Sequence, residues 1–226
     1  TYDYTNDRYK DWFAPRVVST NGGSNEPVQL CYSNEEMAET YIANLLQIIE
    51  KSKQPYIILG QEDHPWWCEC DNCKALADQY GTDAAVMILF LNKVQAAVDE
   101  WFAQNRPSEK PTMCLMFAYY DTVVPPVNWN AQTGAWEPID EAMVINPNSG
   151  IMFAPIDMES DVAFSDYDAA DKTNPHGQLL GWNSCTDNIF VWLYSQNFSQ
   201  YFLPYNTFDT VQENYELLLE TGCVSI

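Results

Sequence analysis

The chain alternates short, continuously apolar runs with longer segments in which apolar residues recur at helical spacing. Short apolar runs without polar alternation are typical of parallel strands that are covered on both faces. Five strands and the start of a sixth are predicted: residues 28–32, 56–60, 113–118, 150–155 and 189–194, with 223–226 beginning the next.

Helical segments are predicted between these strands. Ser33 and Glu36 form a capping-box pattern ahead of an apolar stripe that continues to Ile49. A second helix is expected to open at Thr82 or Asp83. The remaining helical signals are a segment of uncertain length around residues 177–182, and a last helix that opens at Thr207 or Asp209 and ends at Gly222.

This strand–helix alternation predicts a parallel α/β fold, and specifically a (β/α) TIM-type barrel. A complete barrel has eight strands. We therefore expect residues 1–226 to form a single, incomplete barrel domain, cut from a longer parent protein whose upstream domain or strands complete it. Residues 121–149 are expected to form a long inserted loop. No glycine-rich phosphate-binding pattern follows any predicted strand, which argues against a nucleotide site.

The charge balance narrows the range of partners. The chain has 10 basic and 32 acidic residues and a net charge of −22, so nucleic acid and anionic membrane surfaces are not expected to bind. No apolar run is long enough to predict a transmembrane helix, and membrane insertion is not expected. With 8 Trp and 14 Tyr, the composition suits a carbohydrate partner, and the acidity suits a secreted, cell-surface or periplasmic protein.

Carboxylates, amides and aromatic residues follow every predicted strand, and barrel proteins place their sites at these strand ends. Glycoside hydrolysis normally needs two carboxyl groups. The candidate catalytic residues are Glu62, Asp63, Asp121 and Asp157, each of which could alternatively cap a helix or be merely solvated. The candidate sugar-binding residues are Tyr119, Trp182, Trp192, Tyr194 and Asn197. No cofactor is expected for catalysis.

The most specific local motif is Cys68-x-Cys70-x-x-Cys73. Three thiols at this spacing can converge on a structural zinc ion, which prefers four ligands. Cys31 is the preferred fourth ligand, and His64 is the alternative. A disulfide between Cys31 and one of the other three, or free thiols, are competing interpretations. The remaining cysteines, Cys114, Cys185 and Cys223, are expected to be ordinary core thiols.

Several of these motifs together resemble the DUF4838 family of bacterial proteins. They are residues 30–35 (LCYSNE), Asp63 with the following cysteine motif, Ala118-Tyr119 with Thr122 and Pro125-Pro126, and residues 191–194 (VWLY). The family is grouped with the glycoside hydrolase barrels, so the resemblance implies a TIM-type barrel and a sugar substrate. At Glu62 the family pattern leads us to expect an amide, usually Asn, and this departure favours Asp63 over Glu62.

The predicted function is therefore a glycoside hydrolase-like protein that uses carboxylate acid/base catalysis, with Asp63 as general acid or substrate-orienting group. The alternatives are a non-catalytic carbohydrate-binding domain and a structural barrel domain braced by the cysteine cluster. A neutral sugar is expected, because a uronic acid needs a fixed cation. Of the three arginines, Arg8, Arg16 and Arg106, none follows a predicted strand, and Lys74 is expected to point outward.

Overall fold

The structure is a computed structural model that describes residues 8–14, 29–63 and 67–225. Its strands are β1 (Tyr56–Leu59), β2 (Met113–Ala118), β3 (Val127–Asn130), β4 (Ala135–Pro138), β5 (Ser149–Phe153) and β6 (Ile189–Val191). Its α-helices are α1 (Glu35–Lys51), α2 (Asp71–Tyr80), α3 (Ala84–Asn105), α4 (Pro175–Cys185) and α5 (Val211–Glu220). The predicted mixed α/β class is confirmed.

Four of the strands form a parallel sheet in the order β1-β2-β5-β6, which is also their order along the chain. Beyond β6, the amide of Val191 donates to the carbonyl oxygen of Ser225, which makes a single parallel bridge with Phe190. The sixth strand start predicted at residues 223–226 thus pairs in the expected direction. Because all these strands are parallel, their carboxyl ends lie at one edge of the sheet.

The main core lies between the sheet and its helices. Side chains of β2 and β5, such as Cys114, Met116 and Phe153, belong to the same buried cluster as the apolar stripe of α3. The fully buried Gln95 of α3 accepts a hydrogen bond from the Cys114 amide and donates one to the carbonyl oxygen of Thr112. These bonds fix the start of β2 on α3, because buried amide groups need partners.

The opposite face of the sheet carries a second, smaller apolar cluster of Met113, Leu115 and Phe190. On the same sheet, Tyr56 and Ile58 of the edge strand β1 are exposed. Among the described residues, helices therefore cover one face of the sheet, in contrast to the double coverage that the continuous apolar runs predicted.

The segment predicted as the first strand does not join the parallel sheet within the described residues. Val28 lies outside them, and Leu30 forms an isolated antiparallel bridge with Phe13. The chain then turns at once, with the Asn34 amide donating to the carbonyl oxygen of Cys31. This turn directs the Cys31 thiol into a cluster with cysteines about forty residues further along the chain, so a contact between distant residues ends the run.

The predicted cap of the first helix was also wrong. Asn34, not Ser33, is the N-cap of α1, and its side-chain oxygen accepts from the Met37 amide at 2.9 Å. The hydroxyl of Ser33 instead lies 3.1 Å from the sulfur of Cys73. Both residue types cap helices well, and the nearby thiols, which are distant in sequence, decide between them.

One helix and one hairpin were not predicted. Helix α2 begins within the cysteine motif, with the Cys70 sulfur accepting from the Cys73 amide, and ends at Gly81, whose φ is 69°. Inside the predicted 121–149 loop, β3 and β4 form an antiparallel hairpin across which Trp129 and Trp136 pack with ring centroids 5.2 Å apart. A glycine such as Gly81 is a common sequence signal for the end of a helix, because it adopts the left-handed conformation without strain.

Candidate functional site

A cavity of about 210 Å³ opens at the carboxyl edge of the parallel sheet. All four strands contribute to it directly or through the residues that follow them. Its lining residues are Gln61, Asp63, Phe117, Tyr119, Ala154, Trp192 and Tyr194. This position is where open and closed parallel α/β folds place their ligand sites.

Asp63 and Tyr119 join the ends of β1 and β2. The Tyr119 hydroxyl donates to Oδ1 of Asp63 at 3.2 Å. Beneath them, Gln61 donates to the Tyr119 carbonyl oxygen at 3.0 Å and accepts from the hydroxyl of the buried Thr122 at 2.9 Å. The Gln61 amide is thereby fixed in orientation, and it sets the position of the backbone that carries Tyr119.

Both phenols in the cavity are held in their neutral form. Burial raises the pKa of Tyr119 above its ordinary value, and the neighbouring Tyr120 and the negative charge of Asp63 act in the same direction. Burial likewise raises the pKa of Tyr194. Each hydroxyl therefore remains a hydrogen-bond donor at neutral pH.

The opposite wall comes from the residues after β6. The strand ends at Val191, earlier than predicted, and the Trp192 amide donates to the Phe153 carbonyl oxygen at 2.8 Å. Trp192 is half exposed, and Tyr194 is partly buried. An indole and a phenol thus present ring surface to the cavity across from Asp63.

The other three candidate carboxylates lie elsewhere. Glu62 is exposed and does not line the cavity. Asp121 is exposed, and its charge acts on Asp83 at the start of α3. Asp157 lines a separate cavity of about 160 Å³ together with Tyr120. Among the described residues that line the larger cavity, Asp63 is the only carboxylate.

Two candidate sugar-binding residues also have other positions. Trp182 is 0% exposed within the core, where its indole N–H donates to the Val123 carbonyl oxygen. Asn197 accepts hydrogen bonds from the amides of Ser199 and Gln200 and so caps a turn. Trp182 lies on α4, which packs on the hairpin strand β4, whereas Trp192 follows a strand at the carboxyl edge of the parallel sheet, so Trp192 reaches the cavity.

Gln61, Phe117 and Ala154 line the cavity but were not among the predicted site residues. Gln61 and Ala154 lie next to the ends of apolar runs, where site residues were expected. Phe117 was treated as a strand residue only. Side-chain alternation along β2 was the available signal, since Phe117 and Leu115 share the face opposite to Met116.

The four cysteines of the predicted cluster lie together. The sulfur atoms of Cys31, Cys68, Cys70 and Cys73 are all within 4.8 Å of one another. Cys31 is 3.6 Å from Cys70 and 4.0 Å from Cys73, measured between sulfurs. The edges of a tetrahedron of sulfurs around zinc are about 3.75 Å, from a Zn–S bond of about 2.3 Å. The donor type and spacing therefore fit a closed zinc site.

The cluster also favours a thiolate. Hydrogen bonds from Cys68 and Cys73 lower the pKa of the Cys31 thiol far below its ordinary value. The same contacts raise the pKa of Cys68, so the negative charge is concentrated on Cys31. Metal ligation needs thiolates, and one is already favoured by the arrangement of the side chains.

His64 as a fourth ligand and a disulfide were the alternatives considered for the cluster. His64, the other proposed fourth ligand, lies outside the described residues. All seven cysteines are free thiols, which does not support the disulfide interpretation. Cys114 and Cys185 are buried in the main core, as expected, and Cys223 is partly buried beside it.

Comparison with family models gives a match to a domain of unknown function, DUF4838, over residues 1–226. The chain belongs to the DUF4838 family. No curated protein sequence and no solved structure matches it. No helix in the described part of this DUF4838 domain combines the length and apolar character that crossing a bilayer requires.

The motifs that carried the resemblance to DUF4838 fall at two places in the structure. Residues 30–35 and the cysteine motif build the cysteine cluster. Asp63, Tyr119, Trp192 and Tyr194 line the cavity, and Thr122 holds Gln61 there. Residues from the DUF4838 motifs of this chain thus line the cavity and form the four-cysteine cluster.

Proposed function

We propose that this DUF4838 domain binds a neutral sugar ring in the cavity at the carboxyl edge of its sheet. The observation that carries the proposal is the combination of one carboxylate, Asp63, with the rings of Tyr119, Trp192 and Tyr194 around the same cavity. Sugar rings have apolar C–H faces that pack on aromatic rings, and hydroxyls that bond to carboxylates and phenols.

Charge supports a neutral ligand. The described arginines are engaged elsewhere: Arg8 pairs with Glu36, and Arg106 donates to the Glu50 carbonyl oxygen at the opposite edge of the sheet. Arg16 lies outside the described residues. Lys74 pairs with Glu69 on the surface. The net charge of −22 would further oppose a uronic acid.

Glycoside hydrolysis is the second candidate function, and the position of Asp63 favours it. A carboxyl group on an aromatic-walled sugar pocket can protonate a glycosidic oxygen. Acid/base hydrolysis requires a second carboxylate across the scissile bond, about 5–10 Å away. Since the described lining residues supply one carboxylate, we rank binding ahead of hydrolysis for this domain.

Calorimetric titration with neutral monosaccharides and their aryl glycosides tests the binding proposal, and release of the aryl group tests hydrolysis. Asp63→Asn should weaken binding because a neutral amide replaces the charged carboxylate acceptor, and Tyr119→Phe should weaken it because the hydroxyl is removed. Asp157→Asn, in the separate cavity, is the matched control and should bind as the wild type does. No binding by the wild type, or equal affinity in all four proteins, would sink the proposal.

We further infer that the four cysteines hold a structural zinc ion. Support comes from the donor set, the sulfur separations and the Ser33 hydroxyl, which lies 3.1 Å from Cys73 and can donate to its thiolate. A site closed by four cysteines leaves no open position for a substrate, so the metal would stabilise the fold without taking part in catalysis.

We also propose that this sheet is part of a larger (β/α) barrel. A parallel sheet whose strand order follows the chain, with helices on one face, is what a segment of a (β/α) barrel would contribute. We propose that upstream strands of a longer parent protein complete such a barrel. A secreted or cell-surface location suits an acidic protein that handles carbohydrate.

A further inference from the structure

Residues 188–208, which include β6, form the longest uncharged stretch of a chain in which 19% of residues are charged. After β6 this stretch runs along the surface and carries exposed aromatic side chains, among them Phe198 and Tyr201 at 54% and 64% exposure. Uncharged, aromatic surface is unusual on so acidic a protein, because water-exposed segments are normally rich in charge.

Edge-to-face contacts link three aromatic rings, beginning with Tyr194 in the cavity. Tyr194 lines the cavity, and its ring centroid lies 5.8 Å from that of Phe198. Phe198 in turn lies 6.4 Å from Tyr201. We call Tyr194, Phe198 and Tyr201 the aromatic strip.

Asn197 holds the strip in shape. Its side-chain oxygen accepts from the amides of Ser199 and Gln200, both at 3.0 Å, and the Leu203 amide donates to the Gln200 carbonyl oxygen. This turn returns the chain so that Phe198 and Tyr201 pack against one another. Asn197 is thus a positioning residue for the strip.

We propose that the aromatic strip binds further units of a neutral glycan whose terminal ring occupies the cavity. The inference rests on the proposed sugar-binding function and deepens it: the ligand is an oligosaccharide or polysaccharide end. The occupant follows from the chemistry of the surface, since aromatic rings interleaved with Gln196, Asn197 and Gln200 match the alternation of C–H faces and hydroxyls along a neutral glycan. The strip is also continuous with the cavity.

The test uses calorimetry on four ladders, each from one to five units: cello-, xylo-, manno- and malto-oligosaccharides. For the ladder that binds, wild-type affinity should rise with length over the first three units. Phe198→Ala and Tyr201→Ala should each weaken binding of the pentamer by about tenfold, the size of one aromatic contact. Neither change should alter the affinity for the single sugar.

Phe202→Ala is the matched control, because Phe202 is adjacent to Tyr201 and fully exposed, and should bind every ladder as the wild type does. All three replacements are at exposed positions, and equal thermal midpoints will confirm that the variants fold. Affinity independent of length, or a Tyr201→Ala variant that matches the control, would overturn this inference while the pocket proposal survives. If no single sugar or oligomer binds the wild type, the proposed function itself fails.

Discussion

The hydroxyl of Tyr32 donates a hydrogen bond of 3.0 Å to the carbonyl oxygen of Gly60. Tyr32 directly follows Cys31 of the cysteine cluster, and Gly60 begins the loop that carries Gln61 and Asp63 into the cavity. A second bond runs in parallel, from the Glu62 amide to the side-chain oxygen of Gln29. The cysteine cluster and the cavity are therefore joined through one short segment.

Removing the Tyr32–Gly60 hydrogen bond should weaken sugar binding, although neither residue lines the cavity. Tyr32→Phe keeps the buried ring, which packs on Phe90, and deletes the hydroxyl that bonds to Gly60. We expect a loss of about 1 kcal/mol in the free energy of unfolding, the usual net value of one hydrogen bond. Sugar affinity should also fall, because the loop that carries Asp63 loses an anchor. Urea denaturation and calorimetry measure the two effects.

Tyr41→Phe provides the matched control, since Tyr41 packs on the same Phe90 ring from α1. It should leave sugar affinity unchanged. Equal affinities for Tyr32→Phe and wild type, with the stability loss present, would show that the Asp63 loop is held by other contacts and would refute the connection.

The zinc proposal makes a stoichiometric prediction. Purified protein should contain about one zinc per chain, and Cys73→Ser should contain almost none, because three thiolates hold the ion much less tightly. The thermal midpoint of this variant should fall by several degrees and should no longer respond to added chelator. Elemental analysis and thermal melts in the presence of a chelator measure both.

Cys223→Ser, a partly buried thiol outside the cluster, is the control and should retain its zinc. A wild-type protein without metal whose cluster cysteines are found as a mapped disulfide would decide for the competing interpretation.

The sequence predicted the parallel strands and the cysteine cluster well because both signals are local. The runs at 56–60 and 113–118 are apolar throughout, and three of the four thiols lie within six residues. What failed depends on contacts between distant residues. Ser33 was assigned to a helix cap because its attraction to Cys73, forty residues away, is invisible in a local pattern.

The cavity was predicted in part for the same reason. Asp63, Tyr119, Trp192 and Tyr194 meet because parallel strands end at one edge, which the strand order alone implies. Asp157 also follows a strand, but its chain turns to a neighbouring cavity. The direction in which a loop leaves its strand depends on packing that no local pattern records.

Asp83 should make the protein less stable as pH rises. Burial, followed by the charges of Asp121 and Glu69, raises the pKa of its carboxyl from 3.8 to about 6. The folded state therefore holds this proton more tightly than the unfolded state, and stability falls as pH rises through that interval and is level above it. Because Asp83 is half-buried, we expect a cost of only about 1 kcal/mol at pH 7.

Asp83→Asn should remove that cost, so the variant should be more stable than the wild type at pH 7 and equal to it near pH 4. Urea denaturation at several pH values measures the difference between the two curves. Asp78→Asn, at an exposed position on α2, is the control and should follow the wild-type curve. A wild-type advantage at pH 7 would contradict the assigned sign.

Gly177 on α4 should not tolerate a side chain. A Cβ atom there would lie 2.0 Å from the carbonyl oxygen of Asp171, since the chain before α4 passes directly over this position. Backbone cannot yield as a flexible side chain can, so Gly177→Ala should destabilise the fold by about 2–4 kcal/mol. At Gly60 an added Cβ would lie 4.0 Å from the ring of Phe117, its nearest neighbour, so Gly60→Ala should change stability by less than about 0.5 kcal/mol in the same urea titration.

The choice between neutral and acidic sugars can be decided with matched glucoside and glucuronide ligands. A uronate carboxylate entering the cavity would meet Asp63 and no arginine among the described lining residues. Its desolvation would therefore be uncompensated, and the field of a chain with net charge −22 would add to the penalty. We expect the glucoside to bind more tightly at low salt. The difference in affinity between the two ligands should decrease at moderate salt, because screening weakens the repulsion.

In the Asp63→Asn variant this difference in affinity should also decrease, because the carboxylate nearest the ligand is gone. A clear preference of the wild type for the glucuronide at both salt concentrations would mean that the pocket contains a cation or backbone anion site, and the neutral-sugar proposal would be abandoned.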